Sequence, residues 1–271
     1  MPAPYATLLI EKEGPIDWVT LNRPEALNTL NGQMVDDLLD YFGGLYFDRK
    51  TRIVVLRGAG RAFCAGLDIK ESMESRPDDN APRGPAAGLL SQRRISEIVM
   101  RMRRCQQPII SLVQGPACGG GFALALASDI RIAGESARMN AAFIRIGLSA
   151  CDIGVSYFLP RLVGVSVASE LMLTGRFINA ERSLRVGLVS EVVPDADLTQ
   201  AARAYLDDMV TTSPLGLRLT KECLNMSVDS QSLEAAIAME DRNQILCSQT
   251  ADVREGMTAF LQKRPPNYSD S

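Results

Sequence analysis

The sequence predicts an α/β fold that ends in a helical region, and three observations support this class. Short apolar segments alternate with amphipathic segments in the first half, which indicates strands joined by helices and therefore mostly parallel pairing. Glu13-Gly14-Pro15 supplies the turn between the first two strands. After Pro194 the apolar spacing is helical throughout. The predicted strands cover residues 7–11, 16–21, 53–57, 109–113 and 130–133.

The predicted helices cover residues 33–47, 89–104, 197–212, 214–226, 232–247 and 251–263. In the first of them, Met34, Leu38 and Phe42 recur on one face. The arginines between residues 93 and 104 are expected to form a solvated face, with contact to an anionic ligand as the alternative. Residues 75–88 are rich in Pro, Gly, Asp and Asn, which predicts a mobile loop, and residues 265–271 predict a poorly ordered tail.

Composition narrows the class of protein. The chain has 271 residues, of which 46% are hydrophobic and 23% charged, and its net charge of −3 does not favour nucleic acid as a partner. No segment approaches the roughly 18 apolar residues that a membrane span needs, and the N-terminus lacks a secretion-signal pattern. Six scattered cysteines without a C-x-x-C pair indicate reduced thiols rather than disulfides or a metal site. A cytoplasmic location is expected.

The chain contains no histidine. This excludes every nucleophile scheme in which a serine or cysteine is activated by histidine. It also removes the commonest metal ligand and the usual general base near neutral pH. Acid–base chemistry must therefore come from carboxylates, cysteine, tyrosine or lysine.

Three consecutive glycines, Gly119 to Gly121, lie between the predicted strand 109–113 and a run of good helix formers. Such a junction lets backbone N–H groups at the positive end of a helix face a cleft. N–H groups in that position can stabilise negative charge on a carbonyl oxygen. The alternative explanation is a flexible structural turn.

Several further motifs occur in a fixed order with this junction. They are Asn22-Arg23-Pro24-Glu25-Ala26-Leu27-Asn28, Arg61-Ala62-Phe63-Cys64-Ala65-Gly66-Leu67-Asp68-Ile69-Lys70, Leu159-Pro160-Arg161-Leu162-Val163-Gly164, Leu173-Thr174-Gly175, Gly187-Leu188-Val189, Lys221 and residues 255–264. Together with residues 115–130 they resemble the crotonase (enoyl-CoA hydratase/isomerase) superfamily. The resemblance covers nearly the whole chain.

This resemblance implies a crotonase-like spiral of β-β-α turns with a C-terminal helical region. It divides the chain into a core with the acyl-CoA site, residues 1–195, and a helical oligomerisation region, residues 196–271. The implied partners are an acyl-CoA thioester and further copies of the chain, in a homotrimer or a hexamer formed as a dimer of trimers. No separate cofactor is expected, because coenzyme A is carried by the substrate.

The resemblance also implies particular site residues. The backbone N–H groups of Leu67 and Gly120 match the two donors of the family's oxyanion hole. Five residues match the stretch that lies along the bent CoA: Ala65, Gly66, Asp68, Ile69 and Lys70. Arg23 and Lys263 resemble positions close to CoA phosphates, and Lys263 could serve a neighbouring subunit. The alternatives are tight backbone packing for the glycines and ordinary solvation for the charged side chains.

Two positions depart from the family's hydratases. Those enzymes use two glutamates, and the matching positions here are Ala123 and Phe143. Neither side chain can take or give a proton, so hydration by the usual glutamate pair is excluded. Ala123 and Phe143 are instead expected to form an apolar wall of the substrate pocket.

One carboxylate is expected near the pocket. Asp152 lies in a segment that resembles the aspartate-bearing segment of dienoyl-CoA isomerases, although its spacing back to Gly147 is one residue longer and the two further acids of those enzymes are absent. Asp152 is either an acid–base group with its pKa raised by apolar neighbours or the N-cap of the following helix. Tyr157 is a further candidate for the acid–base group. Cys151 is expected to be buried and to serve only in packing, because no histidine can activate its thiol.

Three functions follow from these residues. The first is enolate-forming isomerisation of an acyl-CoA, for which one carboxylate can both take and return the proton. The second is a catalytically silent acyl-CoA-binding protein that has kept the oxyanion hole and lost the acids. The third is acyl-CoA thioester hydrolysis, with water activated by Asp152.

Overall fold

A six-stranded sheet forms the centre of the molecule, for which the computed structural model describes residues 5–74, 84–230 and 232–271. Its strands, in spatial order, are β1 (Leu8–Glu13), β2 (Ile16–Leu21), β3 (Ile53–Gly58), β4 (Ile109–Val113), β6 (Ile130–Gly134) and β9 (Glu191–Val193). β1 and β2 are antiparallel, and every later neighbour pairs in parallel. The five predicted strands and their mostly parallel pairing are therefore confirmed.

A second sheet of three short strands lies after β4. It consists of β5 (Pro116–Cys118), β7 (Arg138–Asn140) and β8 (Ile178–Asn179), with β7 in the middle. These strands were not predicted, because two or three residues are too few to show a period of two.

Ten helices surround the sheets in the described part of the chain. They are α1 (Gly32–Gly44), α2 (Ile69–Glu74), α3 (Pro85–Arg104), α4 (Gly120–Ala127), α5 (Val155–Thr174), α6 (Ala180–Arg185), α7 (Leu198–Val210), α8 (Pro214–Ser227), α9 (Leu233–Ser248) and α10 (Ala251–Gln262). The six predicted helices are confirmed to within a few residues. The predicted loop 75–88 lies largely outside the described residues, and its last four residues already belong to α3.

Both faces of the large sheet are buried, so the core has two layers. Along β3, Val54 and Leu56 pack in the cluster that contains α1, α3, α4 and α5, whereas Ile53 and Val55 pack in the cluster that contains α7. Successive side chains of a strand point to opposite faces, which explains this division. Such a strand reads as a continuous apolar run, as β3 does.

α4 is the most deeply placed helix, because all eight of its residues are buried. It contacts α3 and α5. Since α4 begins at Gly120, the positive end of this buried helix lies at the glycine junction in the interior of the fold. This placement positions the candidate site.

The C-terminal helices attach to the core through buried polar contacts as well as apolar ones. Lys221 in α8 is 4% exposed; its Nζ donates to the carbonyl oxygen of Gln107 at 2.7 Å and lies 3.0 Å from Asp129 Oδ2. The tail is also held, since Asp270 pairs with Arg218 at 2.6 Å. The expectation of a poorly ordered tail is wrong in this respect.

The arginines of α3 do not form one solvated face. Arg103 lies 3.7 Å from Asp129 and against the ring of Phe158, and Arg101 donates to the carbonyl oxygen of Leu39 at 2.7 Å. Only part of the predicted face, for example Arg93, is exposed. The prediction was wrong for Arg101 and Arg103, because their partners come from elements distant in sequence.

Candidate active site

Gly66 and Gly120 meet in the centre of the candidate site. The Gly66 carbonyl oxygen accepts a hydrogen bond from Leu30 N at 2.8 Å, and Asp68 N donates to Leu30 O at 3.0 Å. A Cβ on Gly66 would lie 2.8 Å from the oxygen of Cys118 and 3.7 Å from Gly120 N. The φ of Gly66 is +102°, so a side chain here would be strained and would also obstruct this approach.

Two backbone donors remain at this crossing. Because Leu30 pairs with the residues on either side of Leu67, the Leu67 N–H takes no part in that bridge. Within residues 5–74, 84–230 and 232–271, neither Leu67 N–H nor Gly120 N–H has a hydrogen-bond acceptor. Gly120 is the first residue of α4, where an N–H group lacks an intrahelical partner. Both predicted donors are therefore without an acceptor in the described part of the chain.

Ala123 and Phe143 border the same turn of α4. Ala123 N donates to the Gly119 oxygen at 3.0 Å, and a Cβ on Gly119 would lie 3.4 Å from the Phe143 ring. Ala123 is fully buried and Phe143 is 3% exposed. Both positions are therefore apolar and buried beside the turn that leads into Gly120, and neither carries a group that titrates.

Asp152 precedes Ile153, whose side chain borders Gly120 at the start of α4. A Cβ on Gly120 would lie 3.6 Å from Ile153 Cδ1, and Ile153 is 5% exposed. Asp152 is half-buried, and its Oδ1 accepts a hydrogen bond from Gln92 Nε2 at 2.5 Å. Burial raises the pKa of the Asp152 carboxyl, and hydrogen bonds from Ile153 N–H and Gln92 only partly oppose the rise.

Asp152 does not cap α5. The N-cap of that helix is Gly154, with φ of +84°, and no side chain makes the capping hydrogen bond. Only the backbone oxygen of Asp152 takes part, by accepting from Val155 N at 2.9 Å. The helix-cap interpretation is therefore wrong, and the carboxylate is left for another role.

Four of the residues predicted to lie along CoA line one cavity of about 750 Å³. Arg23, Asp68, Ile69 and Lys70 line it, whereas Ala65 lies behind it and donates to the oxygen of Leu27 at 3.0 Å. Arg23 Nη1 lies 3.0 Å from Asp68 Oδ2, so Arg23 is already part of an internal ion pair. Burial acts to raise the pKa of Asp68, but hydrogen bonds from Glu71 N–H, Arg23 and Thr29 outweigh it and lower that pKa.

Arg61, for which the sequence predicted no role, lines this cavity as well as a neighbouring one of about 840 Å³. Arg61 is exposed. It stands in the same motif as Lys70, so a third cation beside Arg23 and Lys70 was visible in the sequence. Nothing local indicated that its side chain would face the same cavity.

Three other candidates lie elsewhere. Lys263 follows the last residue of α10 and is exposed. It does not line the cavity that Arg23 and Lys70 line. Tyr157 donates to Asp229 Oδ2 at 2.7 Å and lines a different cavity, of about 680 Å³, between α3, α5 and α8. Cys151 is exposed, so the expectation that it is buried is wrong.

The chain belongs to the enoyl-CoA hydratase/isomerase family, whose model matches residues 11–271. It is 40% identical over 265 residues to the probable enoyl-CoA hydratase echA12 of Mycobacterium bovis, covering 97% of this chain and 93% of that protein. It is 35% identical over 262 residues to the 1,2-epoxyphenylacetyl-CoA isomerase of Escherichia coli K12, covering 97% and 98%. The chain therefore aligns with full-length acyl-CoA enzymes.

Solved structures identify the fold as the crotonase fold. A probable enoyl-CoA hydratase/isomerase from Mycobacterium abscessus superposes with a TM-score of 0.89 at 34% identity, over 98% of this chain and 100% of that one. The enoyl-CoA hydratase of Bacillus anthracis gives 0.90 at 30% identity, over 98% and 100%. No helix in the described ranges is long and apolar enough to cross a membrane.

Proposed function

We propose that this protein is an acyl-CoA isomerase in which Asp152 moves a proton on the bound acyl group. The observation that carries the proposal is the half-buried Asp152 beside Ile153, which itself borders Gly120. Ala123 and Phe143 leave the wall of the site without a second acid. A single carboxylate suits isomerisation, since the same group can remove a proton from one carbon and return it to another.

The thioester oxygen would accept hydrogen bonds from Leu67 N–H and Gly120 N–H. The Asp152 carboxylate takes a proton from the acyl chain, and the electrons of the broken C–H bond move onto that oxygen to form an enolate. The protonated carboxyl then returns the proton to a different carbon, and the thioester carbonyl is restored with the double bond moved. Each N–H donor is worth on the order of 3 kcal/mol of transition-state stabilisation at comparable sites.

The raised pKa of Asp152 supports its role as the base. A carboxylate of ordinary acidity is a weak base toward carbon, and a higher pKa increases the driving force for proton removal. Burial provides that increase here.

We propose that the CoA portion lies in the cavity lined by Arg23, Arg61 and Lys70. Arg61 and Lys70 would face its phosphate groups, whereas Arg23 pairs with Asp68 inside the cavity. Lys263 would reach CoA only in a neighbouring subunit. Large apolar side chains exposed on the last two helices support assembly into a homotrimer or hexamer. They include Leu233, Ile245, Met257, Phe260 and Leu261. No further cofactor is proposed, and the proposed location is the cytoplasm.

Deuterium exchange tests the assignment. Wild type, Asp152→Asn and the control Asp208→Asn, which removes an exposed carboxylate of α7, are incubated in deuterated water with 2-enoyl-, 3-enoyl- and dienoyl-CoA and followed by proton NMR. We expect deuterium at the α or γ carbon with wild type and the control, and none with Asp152→Asn. Exchange that persists in Asp152→Asn would overturn the role of Asp152. Binding without exchange or product in wild type would identify a silent acyl-CoA-binding protein, and release of free CoA a thioesterase.

A further inference from the structure

Gln92 in α3 makes the only side-chain hydrogen bond to Asp152 within the described residues. The Nε2–Oδ1 distance is 2.5 Å, and the two residues are 60 positions apart. Gln92 is half-buried, so water competes for this contact less than it would at the surface. None of the motifs that indicate the family contains Gln92.

We infer that Gln92 is the positioning residue of Asp152. It holds one carboxylate oxygen in place through an amide N–H and leaves the other oxygen to exchange a proton with the substrate. An amide N–H can only donate, so the contact as built favours the ionised carboxylate. The catalytic meaning of this inference rests on the proposed function. The hydrogen bond between Gln92 and Asp152 is independent of that function.

Opposing influences act on the Asp152 carboxyl. Burial disfavours its charge, and hydrogen bonds from Ile153 N–H and Gln92 favour it. The Ile153 donor is backbone and survives any side-chain substitution. Gln92 is therefore the one side chain in the described structure whose removal withdraws support from the charged form, and the pKa of Asp152 should rise further without it.

Most charged groups on the neighbouring elements have other partners, and the exposed Arg93, next to Gln92 on α3, is not among the causes of the Asp152 shift. On α3, Arg94 pairs with Asp36, and Glu97 pairs with Arg101 and Arg104. On α5, the Tyr157 hydroxyl and the Arg161 guanidinium both contact Asp229. α4, which borders the site, contains no titratable side chain. No charged group in residues 5–74, 84–230 or 232–271 is a resolved cause of the Asp152 shift, so the effect of Gln92 should be visible without a competing ion pair.

A purely structural role is the competing explanation, in which Gln92 only ties α3 to the segment before α5. A tether that is indifferent to the charge of Asp152 would lower the stability of the fold equally at low and at high pH when removed, and would leave the proton affinity of Asp152 unaltered. A titration of the Asp152 carboxyl therefore distinguishes the two explanations, whereas loss of activity alone does not.

The test uses Gln92→Met, which keeps the length of the side chain and removes the donor, and Gln92→Glu, which replaces the amide with a second carboxyl. Gln33→Met is the matched control, because Gln33 Nε2 donates to Asp37 Oδ1 at 2.8 Å on α1. Carbon-13 NMR of carboxyl-labelled aspartate follows the titration of Asp152, with the resonance assigned from Asp152→Asn. The pH dependence of deuterium exchange is measured on the same variants.

We expect the Asp152 midpoint to rise in Gln92→Met, to rise more in Gln92→Glu because two adjacent carboxylates repel, and to stay unchanged in Gln33→Met. On the acid side, exchange should fall about tenfold in Gln92→Met and recover at high pH, since a donor to an ionised acceptor contributes at least about a tenfold preference. An unchanged midpoint in Gln92→Met would overturn the inference, whatever the result with Gln92→Glu. If Asp152→Asn keeps full exchange, the proposed function fails, and the carbon-13 titration still decides the role of Gln92.

Discussion

Gly66 and Gly120 approach so closely that a Cβ on Gly66 would lie 3.7 Å from the Gly120 nitrogen. This contact joins the segment of Leu67 to the first turn of α4, the two places where the predicted donors lie. Their N–H groups have no acceptor in the described part of the chain, and they are the donors that the proposed function assigns to the thioester oxygen. Substitutions at this contact and in its surroundings should therefore have measurable and separable effects.

Gly66→Ala should impair both folding and exchange. The φ of +102° would strain an alanine, and its Cβ would lie 2.8 Å from the Cys118 oxygen. We expect a loss of about 1–3 kcal/mol in the free energy of unfolding, and a fall in exchange of at least about tenfold because the Leu67 N–H shifts. Urea unfolding and deuterium exchange measure the two effects. Gly14→Ala is the control, since its φ is +56° with nothing within 4 Å, and it should lose stability only. Full exchange in folded Gly66→Ala would contradict the proposed donors.

Lys70→Met should weaken the recognition of CoA without affecting the chemistry. Lys70 is exposed at the cavity that also contains Arg23 and Arg61, so its contact with a phosphate is partly screened by water. We expect KM for an acyl-CoA to rise roughly three- to tenfold, with kcat unchanged. KM for the same acyl group on N-acetylcysteamine, which lacks the phosphates, should stay the same. Lys50→Met removes another exposed lysine and should change neither value. An equal rise for both thioesters would contradict the assignment of this cavity to CoA.

Asp152→Asn should make the folded protein more stable at pH 7. The folded state raises the pKa of Asp152, so it binds more protons than the unfolded state between the ordinary aspartate pKa and the raised value. Stability therefore falls as pH rises through that window, and the loss persists above it. Asparagine removes the buried charge and keeps an oxygen that can accept from Gln92. Urea unfolding from pH 3 to pH 8 should show a gain at neutral pH that vanishes below the ordinary aspartate range. A gain that does not vary with pH would show that titration of Asp152 is not its cause.

Lys221→Met should destabilise the protein strongly. Lys221 is 4% exposed, donates to the oxygens of Met102 and Gln107, and lies 3.0 Å from Asp129. Removal of the ammonium leaves a carboxylate and two carbonyl oxygens without this partner. Breaking a buried pair from one side costs about 3–5 kcal/mol, and the upper part of that range is not expected because Asp129 is partly exposed and also contacts Arg103. The free energy of unfolding in urea is the measurement, with Lys50→Met as the exposed control. A loss equal to that of the control would show that the buried contacts of Lys221 are energetically neutral.

Most strands and helices were predicted from the local spacing of their apolar residues. β3 and β4 are continuous apolar runs, and α1 shows Met34, Leu38 and Phe42 on its buried face, so each could be placed from its own residues. The predictions for the α3 arginines and for the C-terminal tail failed because partners distant in sequence decide where these side chains lie. Arg103 is drawn inward by Asp129, and the tail is held by contact of Asp270 with Arg218.

The candidate site shows the same division. The absence of histidine follows from the sequence alone and limits the chemistry through residue type, whatever the positions of the side chains. The expectation that Ala123 and Phe143 stand where the family's hydratases have glutamates came from the resemblance. Arg61 and Gln92 could not be assigned in this way. A basic residue or an amide has no local signature for the cavity or carboxylate that it will face.

The sequence by itself determined the α/β class and the order of most strands and helices, because these depend on residue type and on periods of two and 3.6. The interpretation of Asp152 as the acid–base group came from the resemblance of its segment to that of dienoyl-CoA isomerases. The tertiary structure alone decided that Gly66 meets Gly120, that Asp152 leaves α5 uncapped, and that Gln92 reaches Asp152 across 60 residues. The physical reason is that packing of α3, α4 and α5 against one another sets these distances, and no short segment of the chain contains that information.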